Sequence, residues 1–160
     1  MVDRYPRLMV DREIVVVRDG QPEQTRLRAW LVGYDGPVPT YRIELVTRQG
    51  AYPCPYTATG PDMFEALVRL RRQLEPDGLT IAVQGSRRDT YPSGMQRDMS
   101  GGGRVYVLRP GRPVGRDDVV KTFDDAPVDQ VATVEEQRAF WDAWRATRKK
   151  PPSGRADAAG

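Results

Sequence analysis

Hydrophobic and polar residues alternate with a period of two through much of the first third of the chain, the pattern of strands with one buried face. Ile14–Val17 is a β-branched run that ends at the turn signal Arg18-Asp19-Gly20, and the chain resumes at Arg26 with RLRAWLVGY, which predicts a first hairpin. In the returning segment Leu27, Ala29, Leu31 and Gly33 share the expected core face, while Arg28, Trp30, Val32 and Tyr34 share the other. Beyond the break at 35–39, Tyr41, Ile43, Leu45 and Thr47 alternate with Arg42, Glu44, Val46 and Arg48. A three-strand meander follows, with a charged and aromatic outer face of the kind found on an antiparallel sheet covered on one side.

The stretch GAYPCPYTATG reads as a turn, because Pro53 and Pro55 fix an extended backbone around Cys54 and supply no ladder donors. The period then changes. Pro61 and Asp62 open a helix in which Met63, Leu67, Leu70 and Leu74 form an apolar stripe widened by Phe64 and Val68, and Pro76-Asp77-Gly78 closes it. Its arginine run reads as a solvated face, with Glu65 and Arg69 spaced for a surface pair. Leu79, Ile81 and Val83 predict a fourth strand and Val105–Leu108 a fifth. Thr133-Val134-Glu135-Glu136 matches a capping box that opens a second helix, along which Gln137, Phe140, Trp141 and Trp144 form a docking stripe. The expected fold is α+β: an antiparallel β-sheet of about five strands packed with two α-helices in two layers. One domain is expected over 1–150 and a disordered tail over 151–160.

Composition narrows the chemistry. The chain has 160 residues, 39% hydrophobic and 29% charged, which suits a polar but foldable protein. Its net charge is +3, and of 25 basic residues only Lys121, Lys149 and Lys150 are lysines, leaving 22 arginines. These are spread along the chain among 22 acidic residues, so a mixed-charge surface is expected and nucleic acid is the less favoured partner. With no histidine, Ser-His-Asp triads, Cys-His pairs and histidine-ligated zinc are excluded within this chain. One cysteine excludes an internal disulfide and a CxxC site. The first residues do not resemble a signal peptide, and no stretch nears the roughly 20 apolar residues that span a bilayer. A cytoplasmic protein without membrane contact is expected.

The candidate site is the stretch Ser86–Arg104, SRRDTYPSGMQRDMSGGGR, which reads as a long loop between the last two strands. Arg87, Arg88, Arg97 and Arg104 offer guanidinium forks for a phosphate or carboxylate, and Gly101-Gly102-Gly103 would let backbone N–H groups approach an anion. The plainer reading is a hairpin connection neutralised by Arg88–Asp89 and Arg97–Asp98 pairs. The glycines lead into a strand, so neither a P-loop nor a dinucleotide fingerprint is present. Asp89, Asp98, Asp117, Asp118, Asp124 and Asp125 follow no recognised ligand spacing, so no metal and no cofactor are expected.

The run YPSGMQRDMSGGGRVYVL, Tyr91 to Leu108, together with TVEEQRAFWDAW, Thr133 to Trp144, resembles a group of small uncharacterised bacterial proteins that share a YPSGM-x-RDM-x-GG signature and an aromatic helix near the C-terminus. The resemblance implies a cytoplasmic accessory protein, for example an immunity protein that neutralises a toxin, and implies no fixed cofactor. On this expectation the loop docks a partner protein, with Arg87, Arg88, Arg97, Asp98 and Arg104 making polar contacts beside Ser93 and with Tyr91 and Met95 as apolar anchors. The alternative is a small enzyme or ligand-binding protein that recognises an anionic metabolite with arginine and backbone N–H donors, Asp98 serving as general base.

Overall fold

In a computed structural model, which describes residues 4–49 and 52–149, the chain is α+β. Strands β1 (Arg7–Arg18), β2 (Gln21–Asp35), β3 (Val38–Gln49) and β4 (Tyr52–Gly60) run antiparallel, and β5 (Leu79–Ile81) completes the sheet order β4-β3-β2-β1-β5. Asp19 and Gly20 both take positive φ, 50° and 79°, which gives the β1–β2 turn the twist that a two-residue hairpin favours. The register places Leu27 opposite Leu45 and Ala29 opposite Ile43. Ile14, Val16, Leu27, Ala29, Leu31, Ile43 and Leu45 are all buried, so the predicted core face is the observed one. The outer face is laced with charge pairs: Arg26 and Arg28 reach Asp11 at 2.5 and 3.3 Å, and Arg42 meets Glu44 at 3.1 Å. The Arg26 guanidinium holds the Asp11 carboxyl below its ordinary range.

The predicted proline turn is instead β4, at the sheet edge, where Pro53 and Pro55 stand opposite Arg48 and Val46. An edge strand has one row of N–H groups with no neighbour. Prolines two residues apart present the same side of the backbone, so the open edge can absorb both missing donors. Cys54 stands opposite Thr47 in this ladder; its side chain lies outside the described residues, as do positions 150–160 with the predicted tail.

Helix α1 (Met63–Leu74) begins where the Asp62 carboxylate accepts the Glu65 N–H at 2.8 Å. Met63, Ala66, Leu67, Leu70 and Leu74 close the sheet's core, but Phe64 and Val68 belong to a second cluster with Tyr91, Val105, Leu108 and Val134. That cluster is framed by a small sheet, ordered β6 (Thr90–Tyr91), β7 (Arg104–Val107) and β8 (Val119–Lys121), and by α3 (Val134–Lys149). The predicted fifth strand is β7, paired with β6 and β8 and not with the large sheet. Two apolar stripes on α1 each need a cover, and the large sheet can supply only one. Each large side chain buried this way contributes about 1.5–3 kcal/mol.

The arginine run on α1 is solvated only in part. Arg69 and Arg72 are exposed, and Arg69 pairs with Glu65 at 3.3 Å, whereas Arg71 is 3% exposed. Its Nη1 donates to Gln137 Oε1 at 2.5 Å, and its Nη2 donates to the Ala132 carbonyl at 2.6 Å and the Ser86 carbonyl at 3.5 Å. Gln137, 1% exposed, passes the network on by donating to the carbonyls of Gly85 and Thr90 at 2.8 and 2.9 Å. Burial pushes the Arg71 pKa down to about 10, which leaves it a cation at neutral pH. This network fastens α1 to α3 and to the segment that leads into the candidate site.

The predicted cap of α3 is present: Thr133 Oγ1 accepts the Glu136 N–H at 3.1 Å, and the Glu75 carboxylate accepts the Val134 N–H at 2.8 Å. Its aromatic stripe docks as expected, with Trp141 stacked on Tyr91 at 4.2 Å and Tyr91 edge-on to Phe64 at 5.1 Å. Among the described residues no helix is long and apolar enough to cross a membrane.

Candidate functional site

The expected long loop is a compact folded unit. After a 3-10 turn at Gln84–Ser86 and strand β6, residues Gly94–Met99 form a helix, α2, before β7 begins at Arg104. Ser93 and Gln96 form a reciprocal capping box: Ser93 Oγ accepts the Gln96 N–H at 3.1 Å, and Gln96 Oε1 accepts the Ser93 N–H at 3.0 Å. Ser93 is therefore the cap that starts this helix. The Ser-x-x-Gln spacing was the sequence signal for it.

The glycines anchor the helix to the body of the protein. The Gly101 carbonyl accepts the Met63 N–H at 2.7 Å, and the Gly102 carbonyl accepts the Thr122 hydroxyl at 2.6 Å. The N–H groups of Gly102 and Gly103 donate to the carbonyls of Gln96 and Ser100 at 3.1 and 3.0 Å. Those two donors are engaged within the fold and not aimed at an anion.

The ion pairs also differ from expectation. Arg97 reaches Asp62 at 3.1 Å and Glu65 at 3.9 Å, and its guanidinium lies 5.1 Å from the Phe64 ring and 5.6 Å from the Tyr91 ring. It does not pair with Asp98, because consecutive side chains on a helix diverge by about 100°. In the same way Asp89 is taken by Arg87, through Nε at 2.9 Å and Nη2 at 2.8 Å, and not by its neighbour Arg88. Arg88 extends over Phe140 of α3 at 5.9 Å. Arg104 is exposed and stands opposite Lys121 in the small sheet. The four arginines therefore occupy three places: Arg87 and Arg88 beside the 130–131 backbone, Arg97 at the start of α1, and Arg104 on β7.

Of the two expected apolar anchors, Met95 is 70% exposed and Tyr91 is 8% exposed. Tyr91 is held in the core between Phe64 and Trp141, so it supports the surface from below. Its place on the surface is taken by Met99, 81% exposed and one helical turn from Met95, which makes a pair on one face of α2. Beside α2 and the turn between β2 and β3 lies a groove of about 500 Å³, lined by Tyr34, Val38, Pro39, Pro61, Arg97 and Asp98. Tyr34 and Val38 are 57% and 48% exposed. Burial raises the pKa of Tyr41 at its floor. The i, i+4 methionines were readable in the sequence, whereas the approach of Tyr34 and Val38 to α2 is a tertiary fact with no local signal.

Neither a family model nor a curated protein matches the chain.

Among the described residues no three Cys, Asp or Glu side chains gather closely enough to hold a metal ion. Helix α2 presents two exposed thioethers, an exposed carboxylate, Asp98, and an arginine already fixed by Asp62, and the groove beside Arg97 and Asp98 adds Tyr34 and Val38 from β2 and β3. Methionine side chains fill irregular surfaces readily and are over-used where a protein must grip a partner. A rigid aromatic group such as Tyr34, in the groove beside Asp98, supplies contact area at small entropic cost.

Proposed function

We propose that this is a macromolecule-binding accessory protein of the bacterial cytoplasm, of the immunity type, which docks and neutralises a partner protein through the 86–104 unit. The observation that carries the reading is the exposure of Met95 and Met99 on a doubly capped, internally anchored helix. Both methionines stand outside the two hydrophobic clusters, and the capping box and glycine anchors hold the backbone that displays them. Arg97 and Asp98 of the same unit line a groove whose other wall carries the exposed Tyr34 and Val38 of the β2–β3 turn, which adds apolar surface near α2. Arg97 and Asp98 then act as positioning and rim groups, and Arg104 and Arg87 lie away from the contact.

Affinity capture from the native host with Met95→Asp/Met99→Asp tests this. Two exposed apolar anchors turned into carboxylates are expected to weaken capture of a stoichiometric partner at least about 100-fold, since single hot-spot losses run at about 2 kcal/mol or more. Melting temperature should stay within about 2 °C of wild type, because neither side chain is buried in the fold. Capture equal to that of the wild type would refute the docking role of α2.

A further inference from the structure

The arginines are evenly spread in sequence but not in their pairing. Several on the large sheet and α1 are paired with carboxylates: Arg12 with Asp124 and Asp125, Arg26 and Arg28 with Asp11, Arg42 with Glu44, Arg69 with Glu65. Around the C-terminal half of α3 fewer are paired. Arg88, Arg112, Arg145 and Arg148 form no ion pair with a carboxylate among the described residues, although Arg109 is held by Asp118 and Arg138 by Asp142. The acidic groups of α3 other than Asp142, Glu135 and Glu136, sit in its first turn. Asp117 is the remaining exposed carboxylate near the 109–116 turn.

These unpaired cations surround aromatic rings. Trp144 Nε1 donates to the carbonyls of Arg109 and Arg112 at 3.0 and 3.2 Å, which lays the Arg-rich turn against the helix. Arg148 lies 5.8 Å from the Trp144 ring, Arg145 4.3 Å from Trp141 and Arg88 5.9 Å from Phe140. Pro110, Phe140, Ala143, Trp144 and Thr147 line an apolar slot of about 110 Å³, with Arg148 at its Trp144 ring and Arg88 at its Phe140 ring. Forked cations bind phosphate bidentately, and an aromatic slot between them accepts a planar ring.

We propose that this face of α3 binds single-stranded nucleic acid, the slot taking one base while Arg112, Arg145 and Arg148 contact the backbone on either side. A positively charged surface combined with aromatic platforms is what sequence-tolerant single-strand binding requires. The slot is the size of one ring and not of a helix face, which favours a nucleobase over an acidic amphipathic peptide. This surface is distinct from the α2 face and does not depend on it.

Fluorescence anisotropy of the full chain with labelled oligo-dT and oligo-U of about 12 nucleotides, a length matched to one or two small-domain sites, tests the assignment. Three phosphate contacts predict a log–log salt slope of about −2, so affinity should fall about 20-fold between about 50 and 200 mM salt. Arg145→Ala/Arg148→Ala should weaken binding at least tenfold and flatten the slope. Arg112→Ala, which leaves the helix untouched, should weaken it less and in the same direction. Met95→Asp/Met99→Asp should bind oligonucleotide as wild type does, so the two faces are tested separately. Absence of salt-dependent binding, binding unchanged in both arginine variants, or displacement of the oligonucleotide by poly-glutamate of equal charge would each overturn the proposal, the last in favour of an acidic protein partner.

Discussion

Arg71→Ala is expected to destabilise the protein by about 3–5 kcal/mol, because two or more buried acceptors lose a charged donor at about 1–3 kcal/mol each and a cavity replaces the side chain. The acceptors are Gln137 Oε1 and the carbonyls of Ala132 and Ser86, all within a buried region. Arg71→Lys should recover little, since one ammonium cannot fork between Gln137 and Ala132. The double variant Arg71→Met/Gln137→Leu should recover part of the loss, because it removes two buried polar partners together. Urea unfolding checks this through midpoints that shift while the slope is held. A loss below about 1 kcal/mol for Arg71→Ala would mean that the network does not join α1 to α3.

Gly102→Ala should cost about 3 kcal/mol or more, which is the second largest effect. Gly102 has φ 74°, and a Cβ there would stand 2.7 Å from the Phe64 nitrogen and 2.8 Å from Asp62 Oδ1. The left-handed backbone costs about 1–2 kcal/mol for an L side chain. Displacing the Asp62 cap adds about 1 kcal/mol, and the overpacking itself about 1–3. Gly36→Ala is the control: its φ is 58° but nothing lies within 4 Å, so only the backbone cost of about 1–2 kcal/mol applies. Thermal unfolding should therefore separate the two glycines by several degrees, at about 2–4 °C per kcal/mol for a chain of this size. Equal melting temperatures would show that the α1–α2 seam yields to a methyl group.

The parts of the fold that were legible in the sequence are those fixed by local rules. Alternation identified the core faces of β2 and β3 through Leu27, Ala29, Leu31, Ile43 and Leu45, period 3.6 after Pro61-Asp62 placed α1, and a capping box with an aromatic stripe placed α3. What could not be read was where each element finds its cover. Phe64 and Val68 looked like a broader stripe, yet a helix with two apolar faces implies a second cluster, and Val105–Leu108 went to build it. Pro53 and Pro55 argued against a strand because their edge position depends on which neighbours pair. Arg71 and Arg69 are indistinguishable in composition and spacing, and only the arrival of Gln137 and the Ala132 carbonyl from distant segments buries one of them.

Within the candidate stretch the local geometry departs from what sequence adjacency suggests. Ser86–Arg104 carries two exposed methionines, Met95 and Met99, but adjacency in sequence suggested Arg88–Asp89 and Arg97–Asp98, whereas geometry pairs Arg87 with Asp89 and Arg97 with Asp62. Tyr91, expected at the surface, is buried because Trp141 arrives to stack on it. Met99 completes the exposed pair by the same i, i+4 logic that served for the longer helices, applied to a helix that the glycine-rich composition disguised.

A photoreactive residue placed at position 99 in the full chain, compared with the same residue at exposed Arg28 on the outer face of the large sheet, tests the central claim most directly. The α2 face predicts a discrete crosslinked protein adduct in the native host from position 99, absent from position 28 and suppressed by Met95→Asp. Adducts of equal yield from both positions, or an adduct from position 28 alone, would contradict it.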